Sequence, residues 1–227
     1  MKYEILYKGA FPALKVYLTR GESFKAESDA MVTMKDTIDV TGNLEGGVFS
    51  GLGRMLAGEK FFFQNLTAAR GDGDILLAPT VLGDIIDVDL DGSYELTVQK
   101  DGFFAGESSI QVSTKMQNLA RGIFSGEGFF VLNISGRGKV FVSSLGAIHA
   151  VNLEPSEQII IDNQHLVAWP SYMNYTIEKA SSKGWISSFT SGEGLVCRFR
   201  GPGVVLIQTR NPKGIAHEIS KFIPSKS

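Results

Sequence analysis

Short apolar runs alternate with glycine-rich turns along most of this chain. Runs of five to eight residues rich in Phe, Val, Ile and Leu, bounded by glycine, are typical of β-strands. Six such runs stand in pairs on either side of a Gly-x-Gly sequence: Lys60–Thr67 with Asp74–Ala78, Gly128–Ile134 with Lys139–Ser143, and Gly194–Arg200 with Val204–Gln208. The pattern predicts three strand–turn–strand hairpins, each with at least one turn glycine at positive φ.

A Gly-Glu dipeptide precedes each of these units at nearly equal spacing. The dipeptides are Gly58-Glu59, Gly126-Glu127 and Gly192-Glu193, so their glycines stand 68 and 66 residues apart. Asn65 and Asn133 then follow at the same offset in the first two copies. Regular spacing of a whole structural unit indicates internal duplication, here in three copies.

The segments upstream of the dipeptides predict two further strands per copy. These segments are Glu22–Met34, Tyr94–Gln111 and Gln158–Ile177. Roughly four strands per copy predict an all-β chain. We therefore expect one domain of three repeats, at about 1–90, 91–153 and 154–213, followed by a short helix over 214–223. Ile215, Ile219 and Phe222 form one apolar stripe of that helix, which we expect to lie across the β body.

Composition narrows the class of protein further. The chain has 227 residues, of which 43% are hydrophobic and 20% charged, with a formal net charge of −2. This is the composition of a globular protein, and it carries no basic excess that would favour nucleic acid as a partner. Since the N-terminus lacks the apolar core of a signal peptide and no apolar run approaches membrane-spanning length, we expect a cytoplasmic location.

The residues that commonly carry chemistry do not form a recognisable set. His149, His165 and His217 lack spaced partners, so no metal site is predicted. Cys197 is the single cysteine, and its alternation with Leu195 and Phe199 predicts a buried apolar role. The chain contains no Gly-x-Ser-x-Gly elbow and no phosphate-binding loop. We therefore predict no catalytic residue, metal or cofactor.

Two acidic patterns need a separate interpretation. Asp87–Gly92 resembles the first half of a calcium-binding EF-hand loop, but Val98 stands where the bidentate Glu belongs. Alternation of the acids with apolar residues favours a strand that ends in an Asp91-Gly92 turn. The repeated Glu59, Glu127 and Glu193 have two readings: ion pairs with Arg54, Arg121 or Lys183, which we favour, or a symmetric ring of carboxylates around a cation.

Adjacent aromatic residues are numerous, and neighbours in a strand point to opposite faces. The groups are Phe61–Phe63, Phe103-Phe104, Phe129-Phe130, Trp169 and Trp185. This arrangement predicts strands covered on both sides. A hydrophobic pocket at a junction between repeats is the alternative to simple core packing.

Three tandem copies, the Arg54–Glu59 sequence and the run Asn65–Gly73 resemble the bacterial relatives of the fungal altered-inheritance-of-mitochondria protein family. The resemblance covers essentially the whole chain. It implies a fold like that of the tryptophan RNA-binding attenuation protein, a short double-stranded β-helix that assembles into rings. Three such units in one chain would give a pseudo-threefold arrangement. Eukaryotic family members are associated with mitochondrial inner-membrane organisation, but no catalytic residue or ligand is implied for this chain.

The sequence therefore predicts a non-catalytic binding or scaffolding protein, with a protein partner or self-association. The first alternative is a regulatory module that binds RNA or a small ligand. The second is an enzyme whose site lies in one repeat, around Trp169–Tyr175 or the Thr41–Ser50 loop.

Overall fold

The computed structural model describes residues 1–43, 63–116, 130–179 and 195–224. Most of them lie in strands, and a short helix stands near the C-terminus, so the predicted all-β class with a C-terminal helix is confirmed. The strands up to residue 77 are β1 (Lys2–Leu6), β2 (Ala13–Leu18), β3 (Ser23–Glu27), β4 (Met31–Met34), β5 (Asp39–Asn43), β6 (Phe63–Thr67) and β7 (Gly73–Leu77).

Twelve more strands and the helix complete the described residues. The strands up to residue 143 are β8 (Ile85–Asp91), β9 (Leu96–Gln99), β10 (Phe103–Glu107), β11 (Gln111–Met116), β12 (Phe130–Ser135) and β13 (Arg137–Ser143). They are followed by β14 (Ile148–Leu153), β15 (Gln158–Asp162), a 3-10 turn (Asn163–His165), β16 (Leu166–Pro170), β17 (Asn174–Lys179), β18 (Leu195–Arg200), β19 (Gly203–Gln208) and the helix α1 (Pro212–Ser220).

The strands form four antiparallel sheets. The first sheet has the order β1-β2-β7-β4, and the second has the order β5-β6-β3-β10-β13-β8. The third sheet has the order β11-β12-β9-β16-β19-β14, and the fourth has the order β15-β18-β17. Six strands lie between residues 13 and 77, and six more between 85 and 143, so the expectation of roughly four strands per copy is wrong.

The predicted hairpins are also wrong, although their strands exist. β6 and β7 follow one another across the first Gly-x-Gly turn, but β6 pairs with β3 and β5 in the second sheet, while β7 pairs with β2 and β4 in the first sheet. The later turns likewise join strands of different sheets. Local sequence marks where a strand ends, but the strand that supplies its hydrogen bonds is distant along the chain.

The turn glycines differ between the three copies. Gly136 (φ +111°), Gly138 (φ +145°) and Gly203 (φ +151°) have the expected positive φ. Gly71 and Gly73 do not, so the expectation fails in the first copy. Gly73 is required there for space, since a Cβ atom would stand 2.6 Å from Thr37 Oγ1.

Apolar side chains fill the space between successive sheets. The first core cluster, which includes Leu14, Phe24, Ile75 and Phe141, lies between the first and second sheets. The second cluster, which includes Leu96, Phe103, Val140 and Val167, lies between the second and third sheets. The third cluster, which includes Leu166, Trp169, Cys197 and Phe199, lies between the third and fourth sheets.

Adjacent aromatics in a strand do point to opposite faces. Phe104 belongs to the first cluster and its neighbour Phe103 to the second, and both are fully buried. This confirms that β10 is covered on both sides, as predicted. Phe61, Phe62, Phe129 and Trp185 lie outside the described residues.

Helix α1 begins two residues before the predicted start. The Asn211 side chain caps it by accepting a hydrogen bond from the Gly214 N–H at 2.6 Å, and Pro212 fits the first turn because no intrahelical donor is needed there. None of its residues is buried. Ile215 is half-buried, while Ile219 and Phe222 are exposed, and Ile215 and Ile219 face strand ends of the β body across a cavity.

Candidate functional site

A cavity of about 620 Å³ separates helix α1 from one end of the β body. Its wall comes from the loop before β8, the turn between β9 and β10, the end of β13, the 3-10 turn with the start of β16, the end of β19, and α1 itself. The main apolar contributors are Val81, Leu82, Leu145, Val167, Ile215 and Ile219. The volume and the apolar lining are typical of small-molecule sites.

Carboxamide groups organise the β side of the cavity. Gln208, at the end of β19, donates from Nε2 to the Gln164 carbonyl at 2.8 Å and accepts from the Leu145 N–H at 2.8 Å. Gln99 donates from Nε2 to the Asn163 carbonyl at 3.0 Å. These bonds tie the 3-10 turn to the ends of three strands from two sheets, so the wall is held in place without a charged group.

Two polar atoms beneath this wall have no hydrogen-bond partner. They are the Oγ atom of Ser143 and the Oδ1 atom of Asn163, both buried and both from residues that line the cavity. An unsatisfied buried polar atom destabilises the folded state by about 1–3 kcal/mol.

Helix α1 forms the outer wall. Ile215, Ala216 and Ile219 line the cavity from this side. Since no residue of α1 is buried, the helix covers the cavity without closing the space beneath it. The exposed Leu82 continues the apolar surface at the cavity's edge.

Two charged residues line the cavity, Asp101 and Lys213. Asp101 lines the wall, and its carboxylate acts on Glu27 at the end of β3. Burial, followed by the negative charges of Asp101 and Asp29, raises the pKa of Glu27 to about 8. Glu27 therefore holds a proton near neutral pH, which lowers the negative charge beside the cavity.

The acidic residues of β8 pair with lysine. Lys139 on β13 donates to the Asp87 carboxylate at 2.7 Å and to Asp89 at 3.0 Å. Hydrogen bonding to Lys139 lowers the pKa of Asp87. Asp91 accepts from the backbone N–H and hydroxyl of Ser93, which forms the predicted turn. Among the described residues, no group of three or more His, Cys, Asp or Glu side chains is placed to hold a metal ion.

The histidines and the cysteine are separated. His149 lies exposed on β14 and His217 exposed on α1, while His165 Nδ1 lies 2.7 Å from the Gln208 carbonyl behind the cavity wall. Cys197 is fully buried, which confirms its predicted apolar role. Burial and, to a smaller extent, the Asp162 carboxylate together raise the pKa of its thiol to about 12, so the thiolate is disfavoured.

The region suggested for an enzyme site is divided between core and surface, with Trp169 and Met173 buried and Tyr172 exposed. Trp169 packs edge-on against Tyr175 and Phe199, each at 5.4 Å between ring centroids, within the third cluster. None of the residues from Trp169 to Tyr175 lines the cavity under α1. Of the Thr41–Ser50 loop, the residues up to Asn43 belong to β5, and the rest lie outside the described residues.

The repeated glutamates cannot be placed. Glu59, Glu127 and Glu193 lie outside the described residues, as do their suggested partners Arg54, Arg121 and Lys183. Both readings of these residues therefore stay predictions.

Sequence reasoning missed the residues that line the cavity. Gln99, Asn163 and Gln208 stand at strand ends far apart along the chain, and none belongs to a motif. The local signal that existed was the apolar stripe of α1, which pointed to a contact with the β body.

The chain matches one protein-family model and is similar to two streptococcal proteins over nearly its whole length. The family model described as mitochondrial biogenesis AIM24 matches residues 3–210. An uncharacterized protein of Streptococcus pyogenes serotype M6 is 30% identical, with 100% of this chain and 93% of the relative covered. A crystal structure of a Streptococcus pyogenes protein superposes with a TM-score of 0.79 at 28% identity, covering 98% of this chain and 99% of that one. None of these matches indicates a catalytic or ligand-binding function.

Proposed function

The chain belongs to the mitochondrial biogenesis AIM24 family, and from that premise we propose that it is a non-catalytic binding protein whose ligand occupies the cavity under α1. The observation that carries the proposal is the cavity itself: a space of about 620 Å³ with a mainly apolar wall and amide groups at its base. Such a wall suits an apolar small molecule that carries at least one hydrogen-bonding group.

We further propose that this site is built on three repeated units like those of the tryptophan RNA-binding attenuation protein, while their pseudo-threefold arrangement stays a prediction of the sequence. The support is the pairing scheme of residues 13–77, 85–143 and 148–208. In each segment the first and third strands pair with the sixth, and the second and fourth pair with the fifth. The pairing of the third strand with the sixth contains a register shift in all three segments.

This scheme places the repeat boundaries somewhat differently from the sequence-based division. β8 pairs with β13 and β14 pairs with β19, so each joins the unit that follows it. Units at 13–77, 85–143 and 148–208 are therefore our proposal for the domain's internal division, with β1 and α1 as additions.

Binding is supported by the amide groups of the wall, which also carries the charged residues Asp101 and Lys213. Gln99, Gln208 and Asn163 supply amide groups, which donate and accept hydrogen bonds but do not transfer protons near neutral pH. His165 stands behind this wall with its Nδ1 atom engaged to a backbone carbonyl. These groups select and orient a ligand.

The alternative function is a regulatory module that binds RNA or a small ligand. A small regulatory ligand would occupy this same cavity. A cytoplasmic location stays a prediction of the sequence. Within the described residues, α1 is far shorter than the roughly 20 residues that a helix needs to cross a bilayer.

The test is a fluorescence titration with anilinonaphthalene sulfonate, an apolar dye with one anionic group. Ala216→Trp places a large side chain into the cavity from α1. Glu218→Trp is the matched control, since it adds the same ring on the same helix at a residue outside the cavity wall.

We expect the wild type and Glu218→Trp to bind the dye equally, and Ala216→Trp to bind it at least about tenfold more weakly, a loss of about 1.4 kcal/mol. Equal binding by all three proteins would show that the dye binds elsewhere. No binding by the wild type would overturn the proposed cavity.

A further inference from the structure

We propose that this protein assembles head to tail with copies of itself, with the β4 edge of one chain pairing with the β15 edge of the next. The inference concerns a second surface, distinct from the cavity. It rests on the repeat equivalence proposed above, and its starting point is the way neighbouring units already join within one chain.

Two junctions inside the chain have the same construction. β3 pairs with β10 through three residue pairs, and β9 pairs with β16 through three residue pairs, both antiparallel. In each case the second strand of one unit meets the third strand of the next. These junctions continue the hydrogen bonding of one unit into its neighbour.

Each junction joins the second strand of one unit to the third strand of the next. Among the described residues, one second strand and one third strand have no partner on their outer edge. β4, the third strand of the first unit, ends the first sheet. β15, the second strand of the last unit, ends the fourth sheet. Each chain therefore carries both halves of a third junction of the same type, on two separate edges.

β4 has the same irregular pairing as β10 and β16, the third strands that form the internal junctions. β4 meets β7 with a register shift between Met31 and Thr33, as β10 meets β13 with a shift between Phe103 and Ala105. β16 meets β19 with the same shift between Leu166 and Ala168. Matching these shifts places Val32 where β10 has Phe104 and β16 has Val167.

Burial at these matched positions shows what is uncovered. Phe104 is 0% and Val167 1% exposed, whereas Val32 is 53% exposed. On the same edge Met34 is 38% exposed, and Ile160 on the β15 edge is 41% exposed. The two unpaired edges thus expose apolar side chains at positions that the internal junctions bury.

Neither edge carries a proline, β15 has one charged residue, Asp162, at its end, and the register shift of β4 also occurs in β10 and β16, which pair at the internal junctions. Charged side chains, proline or bulges that turn the edge away normally prevent unwanted strand pairing. β4 reads Met-Val-Thr-Met, and β15 has three consecutive isoleucines, Ile159–Ile161. Within the described residues, β4 and β15 pair with no common strand and leave one another uncovered, so the partner that would supply the complementary edge is a second copy.

The internal junctions set the expected register. Gly106 stands opposite Lys25, and Trp169 stands opposite Thr97. The matched pair between two chains is Met34 opposite Ile160, with Thr33 opposite Ile161. Such a contact joins two different surfaces, so it closes into a ring or extends into a filament, depending on the rotation between copies.

The first test mixes two single-cysteine variants, Met34→Cys and Ile160→Cys, under mild oxidation. Directly opposed side chains in antiparallel strands lie close enough for a disulfide. We expect a covalent dimer that reductant dissolves. Tyr172→Cys mixed with Met34→Cys is the matched control, since Tyr172 is exposed but lies on neither edge. Cys197 is buried and present in every variant.

The second test measures the mass of the wild type by light scattering over a wide range of concentration. We expect a multiple of the single-chain mass of 24.6 kDa. Val32→Lys and Ile160→Lys should each reduce it to the single-chain mass, while the circular dichroism spectrum of the folded chain stays unchanged.

Three results would overturn the inference. They are a wild type of single-chain mass at every concentration, an assembly that survives both lysine variants, and a Met34→Cys/Ile160→Cys double variant that cross-links within one chain while the mixed single variants do not cross-link. Since Val32 and Ile160 do not line the cavity, dye binding by the lysine variants separates this inference from the proposed function.

Discussion

The first core cluster is tightly packed between two sheets, whereas the cavity under α1 leaves open space between a helix and the ends of strands. In the cluster, Phe24 packs against Phe141 and Tyr3, with ring centroids 6.0 and 5.7 Å apart, and Phe24 is fully buried. At the cavity, α1 faces the strand ends across open space, and buried polar atoms of Ser143 and Asn163 stay unpaired.

We expect this difference to separate the residues that stabilise the fold from the residues that bind a ligand. Sheet-on-sheet contacts exclude water from apolar side chains and account for most of the stability. The α1 wall contributes little burial, so it is free to respond to a ligand. Substitutions in the cluster should therefore change the free energy of unfolding strongly, and substitutions at the cavity should change binding with little effect on stability.

The largest effect is expected for Phe24→Ala. Removing a fully buried ring leaves a cavity between the first and second sheets, which should lower the free energy of unfolding by about 3–5 kcal/mol. Chemical denaturation monitored by circular dichroism measures it. A loss below about 1 kcal/mol would mean that this cluster is not a tightly packed core.

The next largest loss of stability is expected for substitutions of the turn glycines. The repeat pattern alone predicts the same loss in every copy. Gly203 has φ +151°, and a Cβ atom there would stand 2.6 Å from Met173 Sδ in the third cluster. Gly203→Val should therefore lower the free energy of unfolding by about 1–3 kcal/mol.

Gly71→Val is the matched control for this prediction. Gly71 has no positive φ, and its nearest atom, Thr37 Cγ2, would stand 3.5 Å from an added Cβ. We expect a loss well under about 1 kcal/mol in thermal melts. Equal losses for the two variants would contradict the structural difference between these turns.

A pH-dependent effect is expected at Glu27, beside the cavity. Its folded-state pKa of about 8 lies above its ordinary value of 4.5. The folded state therefore keeps a proton that the unfolded state releases, and this stabilisation, complete below about pH 4.5, is lost as the pH rises through about 8.

Glu27→Gln removes the titration. It should be more stable than the wild type at pH 9 by on the order of 2 kcal/mol, since partial exposure weakens the full shift. The advantage should shrink as the pH falls towards 5. Denaturant melts over this pH range measure it, and a difference between the two proteins that does not change with pH would refute the assignment.

The smallest effect on stability is expected for Ile219→Ala. This side chain lines the cavity but is largely exposed, so its removal should change the free energy of unfolding by less than about 0.5 kcal/mol. Dye affinity should nevertheless fall. A large loss of stability would show that α1 packs against the β body in solution.

Local patterns identified much of the fold. Apolar runs ending at glycines marked β6, β7, β12, β13, β18 and β19, because strand formation and turn geometry depend on neighbouring residues. The Phe103-Phe104 pair predicted a strand covered on both faces, since successive side chains point in opposite directions. Cys197 was correctly assigned to the core from its alternation with apolar neighbours.

The same patterns did not predict which strands pair with one another. β6 and β7 look like a hairpin in sequence, but each finds its hydrogen bonds in a different sheet. The choice depends on contacts between residues far apart along the chain, and alternation carries no information about which strand lies alongside.

By itself, then, the sequence determined the all-β class, the positions of most strands, the C-terminal helix and the family. Tertiary structure alone decided that Gln99, Asn163 and Gln208 meet under α1, and that β4 and β15 are edge strands among the described residues. Strand formation follows from local periodicity and turn chemistry, whereas a cavity or an unpaired edge exists because distant elements pack in one particular order.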